Sequence, residues 1–168
     1  MYAVEASSQI GEPNVIEGHT FVGRLGQSDY YISEASISWE EARAQSESLG
    51  GHLVVITSAE ENELVWQGVY GNGLNPGGTN NYQAWIGLYQ DFDSPDYSEP
   101  NGGWKWVTDE PVTYLNWDAN RPGNVDQGYF AHMTDANGNC TEVDTVCGTW
   151  DDDGISANLQ SAFYVLEM

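Results

Sequence analysis

The sequence predicts one α+β domain, on three observations. Two helix-start signatures come early, at Ser38 and Ser58. Several short, aromatic-rich strand patterns follow them. No repeat or linker divides the 168 residues. The expected organisation is a single domain over 1–168, with a core from about residue 19 and a polar leader over 1–18.

Each element has its own local reason. His19 to Ile32 alternates apolar and polar residues around Gly23 and Gly26, and reads as a strand or hairpin. Ser38 followed by Glu41 is a capping box, with Trp39, Ala42, Ser46 and Leu49 then recurring at helical spacing. Gly50-Gly51 stops that helix. His52 to Ile56 is a short apolar strand. Ser58 with Glu61 is a second capping box, opening a helix to about Tyr70. Gly71 to Tyr82 is loop. Ala84 to Leu88 and Trp104 to Val107 read as strands on either side of an acidic turn region, Asp91 to Gly103. Val112, Tyr114 and Leu115 alternate into Trp117, and Phe163 to Leu166 is a terminal strand.

Composition narrows the function classes. With 26 acidic and 4 basic residues the formal net charge is -22. Nucleic acid and anionic membranes are poor partners for such a surface. Two compatible readings remain: adaptation to a salty medium, and carboxylates that serve as ligands for a hard cation such as Ca²⁺. The longest strong apolar run is Leu53-Val54-Val55-Ile56, far short of a membrane span. With 7 Trp, 10 Tyr and 4 Phe, the chain has the aromatic content of a packed core. Cys140 and Cys147 sit seven apart without a Cys or His cluster around them, which favours a local disulfide over zinc. That points to an oxidising, extracellular setting.

An ordered set of motifs carries a resemblance. Trp39-Glu40-Glu41-Ala42, Leu49-Gly50-Gly51-His52-Leu53 and Ser58-Ala59-Glu60-Glu61-Asn62 come first. Trp85-Ile86-Gly87-Leu88, Trp104-Lys105-Trp106, Tyr114-Leu115-Asn116-Trp117, Trp150-Asp151-Asp152 and Tyr164-Val165-Leu166-Glu167 follow. From Phe21 to Glu167 the chain resembles a C-type lectin domain. The resemblance implies two helices, two small antiparallel sheets and a long ligand-binding loop. It also implies a sugar-binding Ca²⁺ held by that loop and the strand beside it. The family's usual disulfides are missing: Ser46 and Leu166 stand where one would join the first helix to the last strand. Cys140 and Cys147 lie on an apparent insertion, Asp135 to Gly148, read as an extended hairpin. Cys-poor versions resemble the lectin modules of large bacterial (RTX-type) adhesins.

The ligand positions depart from the family pattern. Sugar-binding members carry Glu-Pro-Asn or Gln-Pro-Asp in the long loop, with the proline cis in the calcium-bound form. Glu12-Pro13-Asn14 and Glu99-Pro100-Asn101 fall outside that loop and read as turns. The aligned string is Asn120-Arg121-Pro122-Gly123-Asn124, whose proline is flanked by two residues without a side-chain oxygen. The candidate calcium ligands are therefore Asn120, Asn124, Asp126, Asp151 and Asp152, and the candidate sugar contacts are Arg121, Asn124, Asp126, Tyr129, Asp151 and Asp152. Arg121 has two readings, an ion pair with Asp118 or Asp126 and a contact to the ligand. Trp150 is read as core, and Tyr129 as either core or a face for a sugar ring. Asp91, Asp93, Asp96 and Glu99 form a second possible metal cluster or a plain acidic loop. His19, His52 and His132 are dispersed and read as structural.

No motif for nucleophilic or zinc-protease catalysis is present. Paired carboxylates are plentiful, but a glycosidase needs one acid of raised pKa in a deep cleft. The expected function is a Ca²⁺-dependent module of an extracellular adhesin, binding fucose- or mannose-like glycans and flanked by neighbouring domains. The alternative is a calcium-independent module for a protein or for ice.

Overall fold

The computed structural model describes residues 11–72, 83–123, 129–134, 148–153 and 162–168. The elements are β1 (His19–Leu25), β2 (Ser28–Ser33), α1 (Trp39–Ser48), β3 (His52–Leu53), α2 (Ala59–Gly71), β4 (Gln83–Gln90), β5 (Trp104–Trp106), β6 (Phe130–Thr134), β7 (Thr149–Asp153) and β8 (Phe163–Glu167). Asp135 to Cys147, the bulk of the anticipated hairpin with its two cysteines, lies outside the described residues, as do Asn124 and Asp126.

Both helices begin where the sequence places them, but their caps differ. Ser38 makes both halves of its box: its Oγ accepts from the Glu41 N–H, and Glu41 accepts from the Ser38 N–H. Ser58 accepts from the Glu61 N–H, yet the Glu61 carboxylate turns away from the cap. It accepts from Tyr30 Oη (2.7 Å) and from the Thr57 N–H (2.7 Å) instead. A buried carboxylate gains more from those donors than from an exposed cap.

The terminal strands meet: β2 pairs with β8 antiparallel, with Tyr31 opposite Leu166. The strand order is β1-β2-β8-β4-β6-β7, with β3 on β8 and β5 on β4. The two antiparallel sheets expected are joined, because β4 and β8 pair in parallel through Ala84/Phe163 and Trp85/Tyr164. The single sheet is therefore mixed. Two predicted strands are shorter or absent. Only His52–Leu53 forms ladder pairs in the first apolar run, and Val54 to Ile56 are buried beyond it. Val112 to Leu115 form no strand; the segment docks through side chains such as Tyr114.

Two apolar clusters fill the faces of the sheet. One holds Ile32, Val54, Ile56, Val65, Trp66, Ile86, Trp106, Met133 and Trp150. The other holds Tyr31, Trp39, Leu53, Trp85, Tyr164 and Leu166. Ser46 and Leu166, at the missing disulfide, are both buried. The Ser46 hydroxyl donates to Ala42 O within the helix.

Candidate functional site

The site is built on the outer edge of β7, the last strand in the sheet order. Along that edge runs the segment 116–123, held by main-chain bonds. Trp150 N–H donates to Asn116 O (2.8 Å), and Asp118 N–H donates to Trp150 O (2.8 Å). Arg121 N–H then donates to Asp118 O (3.0 Å), closing a turn with Asn120 at φ 69. Beneath it, Trp150 is fully buried and meets Trp106, Tyr114 and Trp117 edge to face at 5.7–5.9 Å. These contacts anchor the loop to the core.

Side chains alternate along β7. Trp150 and Asp152 face one side, and Asp151 the other, opposite His132 of β6. Arg121 reaches both carboxylates: its Nε lies 2.9 Å from Asp151 Oδ1, and a terminal nitrogen lies 3.8 Å from Asp152 Oδ1. Asp152 is almost wholly enclosed and accepts the Gly123 N–H at 2.6 Å. Asp151 Oδ1 also accepts the Asp152 N–H at 2.7 Å. Pro122 is buried between these contacts, and the Arg121–Pro122 peptide is cis. Burial raises the pKa of both carboxyls, opposed by Arg121 and, for Asp152, more strongly by the Gly123 N–H.

Beside this pair lies a cleft of about 420 Å³, lined by Gln83, Asp118, Ala119, Asn120, Arg121, Thr134 and Asp151. Amide, hydroxyl, guanidinium and carboxylate groups thus share one wall. The sequence pointed to Asn120, Arg121 and Asp151 there, and to Asp118 as an ion-pair partner of Arg121; it did not single out Gln83 and Thr134. Gln83 and Thr134 meet only through the register of β4 and β6, which no local pattern encodes.

The other anticipated positions lie elsewhere. Tyr129 is half-buried and packs edge to face on Phe92 at 4.6 Å, and Phe92 on Tyr97 at 5.2 Å. In the acidic loop, Asp91 Oδ2 pairs with Lys105 Nζ (2.6 Å), and Glu99 accepts from Tyr97 Oη (2.8 Å). Asp93, Asp96 and Glu99 are exposed. Among the described residues no three His, Cys, Asp or Glu side chains converge as a metal site. His132 is buried with its ring edge-on to Trp85. His19 bonds Tyr164 Oη (2.6 Å), and His52 lies 3.8 Å from Glu167.

Residues 35–159 match the family model for the lectin C-type domain. The chain belongs to that family. Asialoglycoprotein receptor 2 of Homo sapiens is 32% identical over 128 residues, which are 75% of this chain and 33% of the receptor. A perlucin-like protein of Mytilus galloprovincialis is 30% identical over 121 residues, 71% of this chain and 69% of that one. The chain thus spans a third of the receptor and two thirds of the mussel protein. Human lithostathine has the same fold, with a TM-score of 0.67 at 21% identity over 96% of this chain and 98% of that one. The lectin fold is therefore correct as read from the motifs, and the similar curated proteins are animal ones.

Calcium is the ion that C-type lectin domains typically bind. Ca²⁺ takes six to eight oxygens. Arg121 and Gly123, at the loop's two flanking positions, supply no side-chain oxygen. They supply instead a guanidinium and an N–H that engage the Asp151 and Asp152 carboxylates. At this edge the described residues do not fit a calcium ion. The Arg121 ion pair falls on Asp151 rather than on Asp118, whose link to Arg121 is through its backbone carbonyl.

Proposed function

We propose that this lectin domain is an extracellular, non-catalytic glycan-binding module of a larger adhesin. It engages sugar hydroxyls, of the fucose or mannose type, in the cleft beside β7. The observation that carries this reading is the wall of Gln83, Asn120, Arg121, Thr134 and Asp151. It offers donors and acceptors in one concave place, as sugar recognition requires. Because Arg121 engages Asp151 and Asp152, recognition here is assigned to protein groups rather than to a bridging calcium ion. Asn124 and Asp126 extend the candidate ligand set in sequence.

The test is calorimetry with fucosides and mannosides, in calcium and in EDTA. Binding that survives EDTA and is lost in Asn120→Ala and Gln83→Ala supports the reading. Binding that EDTA abolishes returns the site to the calcium-dependent form. An empty glycan array under both conditions overturns sugar binding altogether. A protein ligand is then the second reading, carried by the exposed rings of Phe92 and Tyr97.

A further inference from the structure

The chain has four cations for 26 carboxylates. Arg24 pairs with Asp29, Arg43 with Glu47, and Lys105 with Asp91. Arg121 is different: it reaches two carboxylates that are neighbours in sequence and lie on opposite sides of one edge strand. One of them, Asp152, has a side chain only 1% exposed. Two adjacent, largely buried carboxylates repel each other and need a positive partner. In a protein of this net charge the free supply of such partners is a metal ion or a side chain. Here the side chain arrives from the loop itself, and the Gly123 N–H completes the coordination of Asp152. A guanidinium is planar, holds its charge at any ordinary pH and bonds carboxylates with directed donors.

We infer that Arg121 is the resident cation between segment 116–123 and β7: it holds Asp151 and Asp152 in the place where a divalent ion would bridge loop and strand. Segment 116–123 is then held on β7 without calcium. A divalent ion added in solution finds these carboxylates already engaged by the guanidinium and by the Gly123 N–H. This goes beyond the glycan reading and stands without it, since it concerns only the cation on Asp151 and Asp152.

The experiment is calcium titration of the chelator-stripped chain, by calorimetry and by melting temperature, with no sugar present. Wild type and Asp152→Asn are expected to bind the same number of calcium ions, because none sits on Asp152. Arg121→Gln is expected to melt below wild type in chelator, to bind one calcium ion more than wild type and to recover part of that loss on adding calcium. Both recovered stability and the extra calcium equivalent should vanish in Arg121→Gln/Asp152→Asn. Should Asp152→Asn fail to fold, Asp151→Asn takes its place in the comparison. Loss of a calcium equivalent from Asp152→Asn or Asp151→Asn relative to wild type overturns the inference. So does an Arg121→Gln variant that melts with wild type and gains no calcium response.

Discussion

The indole N–H of Trp150 donates to Asn62 Oδ1 at 2.8 Å, tying β7 to helix α2. The same amide donates through Nδ2 to Gly148 O at 3.1 Å. One side chain thereby satisfies both a buried indole and the main chain just before β7. The strand that carries Asp151 and Asp152 is held to the core from behind by this amide.

Asn62→Leu should therefore destabilise the domain by about 2–3 kcal/mol, since it orphans the buried Trp150 N–H. Asn116→Ala should cost about 1 kcal/mol or less. Asn116 Nδ2 bonds the same Gly148 carbonyl at 3.0 Å, and Asn62 would still hold it. Urea unfolding of both variants measures the difference. Equal losses would mean that the Trp150 bond contributes little.

Gly148 tests how tightly that corner is packed. Its φ is +71, and an added Cβ would lie 2.8 Å from Trp66 Cβ and Cγ. Gly148→Ala should cost about 2–4 kcal/mol, the sum of left-handed strain and overpacking. Gly26 has a similar φ of +61 but open space around it. Gly26→Ala should cost only about 1 kcal/mol. Thermal melts of the pair separate backbone strain from packing.

Much of the fold was legible because its signals are local. Ser38-x-x-Glu41 and Ser58-x-x-Glu61 mark real helix starts, and the aromatic runs mark real strands. The parallel join of β4 to β8 was not legible, because it depends on strands 79 residues apart (Ala84 to Phe163). β6 was missed because Phe130 to Thr134 carries His132 and Thr134 inside an otherwise ordinary apolar pattern. At the site, the sequence showed that Arg121 and Gly123 lack ligand oxygens. It did not show that Arg121 would reach across to Asp151, since that pairing is set by the register of the 116–123 segment on β7.

The two caps make a further contrast. Glu41 is exposed and serves its cap, whereas Glu61 is buried and bonds Tyr30 and Thr57. Glu41→Ala should cost about 0.5–1 kcal/mol, in the range of a lost capping contact. Glu61→Ala should cost about 2–3 kcal/mol, because the Tyr30 hydroxyl and the Thr57 N–H both lose their acceptor. Chemical denaturation of each variant decides whether the second Ser-x-x-Glu string acts as a cap or as a core contact.

His132 gives the domain an acid limit. Its ring is fully enclosed, neither ring nitrogen has a partner among the described residues, and Trp85 packs edge-on to it. Burial, reinforced by the nearby Arg121 charge, lowers its pKa to about 3. An unfolded chain protonates histidine below about pH 6.5. Between those values the unfolded state binds more protons, so stability falls as pH drops through that window. The slope from this one group is about 1.4 kcal/mol per pH unit. The carboxyls of Asp151, Asp152 and Glu167, raised by burial, act in the opposite direction. Their folded forms hold protons more tightly than the unfolded chain does, so their contribution grows as pH falls toward the ordinary carboxylate range. His132→Leu removes the histidine contribution and leaves theirs. Melting temperatures of wild type and His132→Leu from pH 7.5 to 4.5 should keep a constant difference at the high end and change relative to each other below 6.5, with wild type falling faster. Parallel profiles would mean that His132 is protonated in the folded domain, with a partner for its charge.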